Sequence, residues 1–141
     1  MSSGPEKLIL NADGGARGNP GPAGCGAVLS LPGGEVVASL HKYLGHATNN
    51  VAEYQGLLLG LKAAQEQGAC NLEVRLDSEL IVRQLNGQYK VKSPHLKPLF
   101  EKAQSLLRTF KDVTVVHVRR ENNREADKLA NQAMDRGMGN I

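Results

Sequence analysis

The sequence predicts a single α/β domain in which helices flank a five-stranded mixed sheet, with three antiparallel strands followed by parallel ones. Two observations predict this class. Three apolar, β-favouring runs open the chain, joined by segments rich in Gly and Pro, and helical and strand patterns then alternate to complete the order βββαβααβα. The chain has 141 residues without a repeat, low-complexity tract or long linker, so we expect residues 1–141 to form one domain with flexible ends at 1–6 and 137–141.

The first three strands are predicted around two turn-forming segments. Residues 7–13 form an apolar run that stops where a cluster of glycines begins. Residues 24–31 and 35–44 are apolar and β-favouring, and they surround Pro32-Gly33-Gly34, which is a hairpin signal. Neighbouring strands joined by short turns pair antiparallel, so these three strands begin the sheet.

Helices and two further strands follow. Thr48, Asn49 and Asn50 are typical helix N-cap residues, apolar residues then recur at helical spacing, and Gly68 ends this helix. Residues 72–77 alternate like a strand. The remaining predicted elements are a short helix from Ser78 to Asn86-Gly87, a helix at 94–109, a strand at 113–118 and a helix at 123–134.

The composition argues against several classes of protein. No apolar run approaches the roughly 20 residues of a membrane helix, and the first residues lack the pattern of a secretory signal, so no membrane partner is expected. Cys25 and Cys70 lack CxxC spacing and are predicted to be reduced thiols, which suits a cytoplasmic protein. The histidines show no spacing typical of a zinc site.

The net charge of +3 is distributed unevenly along the chain. Up to Cys70 there are four Lys/Arg and five Asp/Glu, a balance of −1, whereas the remainder has thirteen and nine, a balance of +4. A basic C-terminal half favours a polyanionic partner, although many soluble domains have such a surface. Nothing in the sequence demands more than a monomer.

Four carboxylates stand at unusual positions. Asp13 and Asp77 are each predicted to end a strand, and ligand sites in open α/β sheets gather at the carboxyl ends of strands. Glu53 lies on the apolar stripe of its helix, where a carboxylate is costly unless it is paired or bound to a cation. Asp127 falls near the start of the last helix. Each has an alternative interpretation, because acids also cap helices or lie exposed near helix N-termini.

Considered together, the four carboxylates predict a metal site. A compact α/β fold would bring them to one rim, where their repulsion requires compensation by hard divalent cations such as Mg²⁺. Two ions roughly 4 Å apart could hold the attacking and leaving oxygens of a phosphodiester. Gly14, Gly15 and Gly18 would then leave room and free N–H groups for a sugar-phosphate backbone near Asp13, although these glycines could also simply shape a loop.

The motifs that contain these carboxylates resemble those of type 1 ribonuclease H. They are DGGARGNPGPAGCGAVL with Asp13, TNNVAEYQGLLLGL with Glu53, LDSELIVRQLNG with Asp77 and ENNREADKLANQA with Asp127. Four motifs in this order make the resemblance specific, and it covers nearly all of residues 8–134. The resemblance implies the ribonuclease H-like fold and hydrolysis of the RNA strand of an RNA–DNA hybrid, leaving 5′-phosphate and 3′-hydroxyl ends.

The resemblance also implies roles for individual residues. The four carboxylates would be catalytic and would bind two Mg²⁺ ions, or Mn²⁺, with Asp13 between the ions. The residues that would contact RNA 2′-hydroxyls are Gly14, Gly15, Asn19, Asn49, Asn50 and Glu79. Thr48 would help to hold a DNA phosphate. Because Thr48, Asn49 and Asn50 are also good helix caps, both interpretations of these three stay open.

The chain departs from the family pattern in two places. Many members insert a basic, Trp-bearing handle where this chain has only residues 86–95 and no Trp. We hypothesise that Tyr89, Lys90 and Lys92 substitute for it by stacking and phosphate contact, the alternative being a solvated loop. Many members also have a loop histidine before the last aspartate. Here Arg119, Arg120 or Glu121 is predicted to replace it, and Arg120 is preferred as a cation near the departing phosphate.

Two other functions are compatible with the same fold. One is a non-catalytic module that binds RNA–DNA hybrids or RNA, which the loss of a carboxylate would have favoured. The other is a related nuclease such as a resolvase or integrase. The residues predicted to contact 2′-hydroxyls argue against the latter, because an enzyme that cuts DNA has no use for them.

Overall fold

The computed structural model describes residues 5–139 and confirms the predicted order of elements, with one additional 3-10 helix. Residues 1–4 and 140–141, which belong to the ends predicted to be flexible, lie outside the described residues. The strands are β1 (Lys7–Ala16), β2 (Gly21–Ser30), β3 (Val36–Ala47), β4 (Asn71–Leu76) and β5 (Asp112–His117). The helices are α1 (Asn49–Glu66), α2 (Glu79–Leu85), α3 (Lys97–Leu107) and α4 (Arg124–Gly137), and the 3-10 helix spans Arg120–Asn122.

The strands form one mixed sheet in the order β3-β2-β1-β4-β5, which confirms the predicted fold class. β2 pairs antiparallel with both β1 and β3, while β4 pairs parallel with both β1 and β5. The parallel register between β1 and β4 extends from Lys7↔Asn71 to Ala12↔Leu76. The residues that follow Ala12 and Leu76 therefore lie next to each other at the end of the parallel pairing.

The prediction that the first strand ends at Asp13 is wrong. Pairing with β4 stops at Ala12, but antiparallel pairing with β2 continues to Ala16↔Ala23. Glycine has a low β-propensity, so residues 14–16 did not look like a strand in the sequence. They form one because β2 supplies the backbone hydrogen-bond partners. For the same reason β2 begins at Gly21 rather than at residue 24, and β3 extends to Ala47.

Helices cover both faces of the sheet. Gly56 of α1 lies against Cys25 of β2, whereas Gly24 and Gly26 of the same strand lie against α4. Because alternate residues of a strand point to opposite faces, α1 and α4 are on opposite sides. α3 packs beside α1. The centre of the core contains fully buried leucines of β1, β2 and α1, namely Leu8, Leu10, Leu29, Leu57 and Leu61.

Both cysteines are free thiols, as predicted. Cys25 is buried, and this burial raises the pKa of its thiol to about 11, so the thiol stays protonated at neutral pH. Within residues 5–139, no helix combines the length and the apolar character needed to cross a membrane.

Candidate active site

Asp13 and Asp77 are brought together by the parallel register of β1 and β4. The last pair of this ladder is Ala12↔Leu76, and each aspartate is the next residue of its chain. Asp13 is only 6% exposed, whereas Asp77 is half-buried. Both lie where parallel pairing ends, which is the position at which open α/β sheets bind ligands.

Glu53 reaches the same place because glycines allow α1 to approach β1 closely. A Cβ atom on Gly14 would lie 2.1 Å from the backbone oxygen of Ala52, and one on Gly56 would lie 2.5 Å from the backbone oxygen of Asp13. Neither position can accept a side chain unless the helix moves away from the strand. Gly14 was predicted to make room for nucleic acid, and the structure gives it a packing role as well.

Carboxylate oxygens of Asp13, Glu53 and Asp77 lie within 4.8 Å of one another. Burial, together with the charge of Asp77, raises the pKa of Asp13 from its ordinary value of 3.8 to about 7, although a hydrogen bond with Glu53 opposes this rise. Burial, followed by the charge of Asp13, also raises the pKa of Glu53. Within the described part of the chain, Oε2 of Glu53 is buried without a hydrogen-bond partner. An orphaned buried oxygen beside two other carboxylates fits a hard cation such as Mg²⁺.

Asp127 lies outside this group of three but lines the same cleft. It is in the first turn of α4, and a hydrogen bond with Asp127 contributes to the raised pKa of Asp13. Gly26 allows α4 to approach β2, since a Cβ there would lie 2.6 Å from the backbone oxygen of Ala126. The structure thus brings three of the predicted carboxylates into one cluster and places the fourth at its edge.

Asn123, which the sequence analysis did not single out, fixes the start of α4. It is 1% exposed, donates a hydrogen bond from Nδ2 to the backbone oxygen of Ala12 at 2.9 Å, and accepts one from Nδ2 of Asn11 at 3.1 Å. Its backbone oxygen accepts from the N–H of Asp127 at 3.1 Å. Asn123 therefore ties the last carboxylate to the strand that carries Asp13. A fully buried Asn in a polar segment leaves no signal in hydrophobic periodicity.

The four carboxylates line a cleft of about 590 Å³ between α1, α4 and the ends of the strands. Of the other predicted site residues, the cleft is also lined by Gly14, Gly15, Asn49, Asn50 and Arg120. Residues of the cleft that the sequence analysis did not predict include Arg17, Ser78, Asn131 and Met134. Helical spacing from Asp127 could have indicated Asn131 and Met134, which follow it at i+4 and i+7.

Asn19, Thr48 and Asn49 make structural contacts at the rim of the cleft. Oγ1 of Thr48 accepts from the N–H of Val51 at 3.2 Å and so caps α1. Oδ1 of Asn19 accepts from the N–H of Asn49 at 3.0 Å, and Oδ1 of Asn49 accepts from the N–H of Ala16 at 2.8 Å. These bonds fasten the β1–β2 turn to the start of α1. The capping interpretation of Thr48 is confirmed, and contact with a substrate stays a prediction for all three.

The remaining predicted site residues do not line the cleft. Glu79 forms an ion pair with Arg83 at 2.9 Å, and the guanidinium of Arg83 lies 5.4 Å from the ring centre of Tyr89. Lys90 and Lys92 are exposed in the segment between α2 and α3. Their binding roles stay predictions.

Known proteins resemble this chain in both sequence and fold. Residues 11–133 match a family model described as reverse transcriptase-like. The chain is 48% identical over 92% of its length to the bifunctional protein Rv2228c of Mycobacterium tuberculosis, but it spans only 36% of that relative. The N-terminal RNase H domain of Rv2228c, solved as a fusion protein, superposes with a TM-score of 0.93, 45% identity and coverage of 96% of this chain and 99% of that chain.

Two further relatives are named as type 1 ribonucleases H. Ribonuclease HI of Halobacterium salinarum is 44% identical over 87% of this chain and 62% of its own length. LC11-RNase H1, isolated from compost, was solved in complex with an RNA/DNA hybrid. It superposes with a TM-score of 0.89 and 44% identity, covering 93% of this chain and 99% of that chain.

The fold and the acidic cleft define a domain of the ribonuclease H-like class, with a carboxylate cluster that could bind metal. Since the family model matches most of the chain and the relatives agree, the chain belongs to the type 1 ribonuclease H family, whose members are metal-dependent enzymes. The segment 86–96 between α2 and α3 contains no helix, which agrees with the absence of the handle.

Proposed function

We propose that this chain is an endoribonuclease that hydrolyses the RNA strand of RNA–DNA hybrids. The observation that carries the proposal is the cluster of Asp13, Glu53 and Asp77 within 4.8 Å, at the end of the parallel ladder. Membership of the family and the hybrid bound by LC11-RNase H1 support the choice of substrate. A non-catalytic module would have no need for so costly a group of buried acids.

The four carboxylates would hold two Mg²⁺ ions, with Mn²⁺ as the alternative ion. When bound, the metal would lower the pKa of the attacking water and stabilise the leaving 3′ oxygen, so that the products carry 5′-phosphate and 3′-hydroxyl ends. Before the metal binds, burial raises the pKa of both Asp13 and Glu53, with the charge of Asp77 adding to the rise at Asp13 and the charge of Asp13 adding to the rise at Glu53, so both carboxyls bind protons more readily than usual. These protons must leave when the site is loaded.

Recognition of RNA would use the rim of the cleft. The backbone of Gly15 and the side chain of Asn50 line the cleft, where they would contact 2′-hydroxyls. Gly14 also lines the cleft, and contact with RNA would add to the hydrogen bonds that its backbone makes with Asp13 and Glu53. Asn19 and Asn49 would combine such contacts with the bonds that fasten the turn to α1. Glu79 and Thr48 would act further along the hybrid. We further propose that the protein acts as a monomer and, since Cys25 and Cys70 are free thiols, that it acts in the cytoplasm.

The direct test is cleavage of a hybrid with a labelled RNA strand in Mg²⁺, with EDTA and the Asp13→Asn variant as controls. We expect cleavage of the RNA strand alone, and loss of more than about 100-fold in rate for Asp13→Asn, since even the residues that support metal ligands contribute about 10–100-fold. Tight hybrid binding without cleavage in Mg²⁺ or Mn²⁺ would instead identify a binding module.

Arg120 is the proposed substitute for the loop histidine of relatives. It lines the acidic cleft at the start of the 3-10 helix, so its charge would assist the departing phosphate. Arg120→Ala is expected to lower turnover roughly tenfold and to leave hybrid affinity nearly unchanged, because the loss concerns product departure. Arg119→Ala provides the matched control, as its side chain is 82% exposed and does not line the cleft. Normal turnover in Arg120→Ala would rule this role out.

A further inference from the structure

Arg17 is a cation at the rim of the acidic cleft. It directly follows β1, and its N–H donates to the backbone oxygen of Pro22 at 2.8 Å, which closes the turn between β1 and β2. Among the described residues that line the cleft, four are carboxylates and only Arg17 and Arg120 are cations. The guanidinium of Arg17 is thus well placed to meet an anionic ligand that approaches the carboxylates.

Contacts from the end of α4 hold this guanidinium in one position. Nη1 lies 2.6 Å from Oδ1 of Asp135 and donates to Sδ of Met138 at 3.4 Å. Nη2 donates to the backbone oxygen and to Oδ1 of Asn131, each at 3.5 Å, which is the long limit of a hydrogen bond. Nε has no partner among residues 5–139, and the side chain is 35% exposed. The group is oriented, its Nε–H is unpaired within this described range and its two Nη2 bonds are long, so Nε–H and Nη2–H are the donors that a ligand could take.

A purely structural role accounts poorly for this arrangement. The carboxylate of Asp135 is 54% exposed, and exposed ion pairs contribute little to stability. An oriented guanidinium is, however, well suited to phosphate, which Arg17 could bind through its Nε–H, unpaired among the described residues, together with an Nη2–H released from a 3.5 Å contact with Asn131. The hybrid proposed above would present phosphates on both sides of the bond that is cut.

We infer that Arg17 binds a backbone phosphate of the hybrid next to the cleft, and that Asp135 orients Arg17 while competing with this phosphate. The inference rests on the proposed function, since it concerns the same substrate. The inference predicts that removing Arg17 and removing Asp135 have opposite effects on hybrid affinity. If the ion pair served only to hold the β1–β2 turn against α4, a role called a clasp below, the two removals would have the same effect.

The test is the affinity for a fluorescent RNA–DNA hybrid, measured by anisotropy at several salt concentrations. The parent protein carries Asp77→Asn, which we expect to prevent cleavage. Arg17→Ala is expected to weaken binding roughly tenfold and to reduce the salt dependence by about one phosphate contact. Arg136→Ala is the matched control, because it removes an exposed α4 arginine that contacts His41 rather than the cleft. Its affinity should change little.

Asp135→Ala distinguishes the inference from a clasp. With its competitor removed, Arg17 should bind the hybrid more tightly than in the parent protein. It should also bind more tightly than in the control Glu125→Ala, which removes an exposed acid of the same helix that does not contact Arg17. Equal weakening by Arg17→Ala and Asp135→Ala would overturn the inference, as would unchanged affinity in Arg17→Ala. If the Asp77→Asn protein with Arg17 intact failed to bind the hybrid, the proposed function would fall as well, so the two failures are distinguishable.

Discussion

At the scale of single residues, the buried carboxylates of the site lower the stability of the folded protein. Asp13 is 6% exposed and neighbours two other carboxylates, and Oε2 of Glu53 is buried without a hydrogen bond within the described residues. Charged groups in such surroundings are costly, and for this reason the pKa of Asp13 rises to about 7. A bound divalent cation would offset the repulsion among the carboxylates and so stabilise the folded protein.

The cost can be measured with Asp13→Asn in EDTA. Because the pKa of Asp13 rises from 3.8 when unfolded to about 7 when folded, the native state holds a proton that the unfolded state loses, and the carboxylate lowers stability as pH rises between these values. Asp13→Asn avoids this cost, so its melting temperature should exceed that of the wild type by a margin that grows from pH 4 to pH 7 and then levels off.

In Mg²⁺ the wild type should have the higher melting temperature of the two proteins, because only the wild type keeps the full set of metal ligands. Asp112→Asn, which changes an exposed acid of β5, serves as the control and should follow the wild type in both conditions. A lower melting temperature for Asp13→Asn in EDTA at pH 7.5 would contradict the account of the carboxylate cluster.

At the scale of elements, the site depends on how closely helices approach the sheet. Gly14 and Gly56 bring α1 against β1, and Gly24 and Gly26 do the same for α4 against β2. Each of these contacts is made to a helix that carries a carboxylate, Glu53 on α1 or Asp127 on α4. The geometry of the acidic cluster is therefore set by the distance between backbones.

Gly14→Ala tests this dependence. The new Cβ would lie 2.1 Å from the backbone oxygen of Ala52, so α1 must move outwards and carry Glu53 with it. We expect a loss of at least about 1–3 kcal/mol in the free energy of unfolding, typical of overpacking, together with a loss of cleavage activity and of Mg²⁺-induced stabilisation.

Gly15→Ala is the matched control for stability, since its Cβ would meet only Oδ1 of Asn49 at 3.7 Å. Its free energy of unfolding, measured by urea denaturation, should stay within about 0.5 kcal/mol of the wild type. Equal destabilisation by both substitutions would show that the close approach of α1 to β1 is not the reason why residue 14 must be glycine.

At the scale of the whole molecule, the basic charge lies largely outside the acidic cleft. Lys90 and Lys92 are exposed beside Tyr89 in the segment between α2 and α3, and Tyr89 lies beneath the guanidinium of Arg83. A hybrid seated in the cleft needs cations along its flanks, because the carboxylates alone would repel its phosphates. This segment is the proposed replacement for the handle.

Lys90→Ala combined with Lys92→Ala should therefore weaken hybrid binding uniformly across sequences and reduce the salt dependence by roughly two phosphate contacts. The double variant Lys62→Ala, Lys102→Ala is the control, since it removes the same charge from a groove between α1 and α3. Anisotropy at several salt concentrations measures both. An unaltered salt slope in the Lys90/Lys92 variant would leave this segment as a solvated loop.

Local patterns in the sequence determined the order of elements, the mixed sheet and the identity of the acids. These features are local because hydrophobic periodicity and capping residues act over a few positions. Thr48 illustrates the point, since it caps α1 as its residue type predicts. Asp13 and Asp77 were recognisable because each directly follows an apolar, strand-like run, and Asp is unfavourable within a strand.

Tertiary structure decided the rest. β1 continues through residues 14–16 because β2 is there to pair with it, which no local preference indicates. Arg17 enters the cleft, and Asn123 joins α4 to β1, through contacts between residues more than 110 positions apart. The role of Gly14 likewise depends on a helix some forty residues away in the chain. Distances of this kind are fixed by packing between elements, and packing is a property of the folded chain rather than of any segment within it.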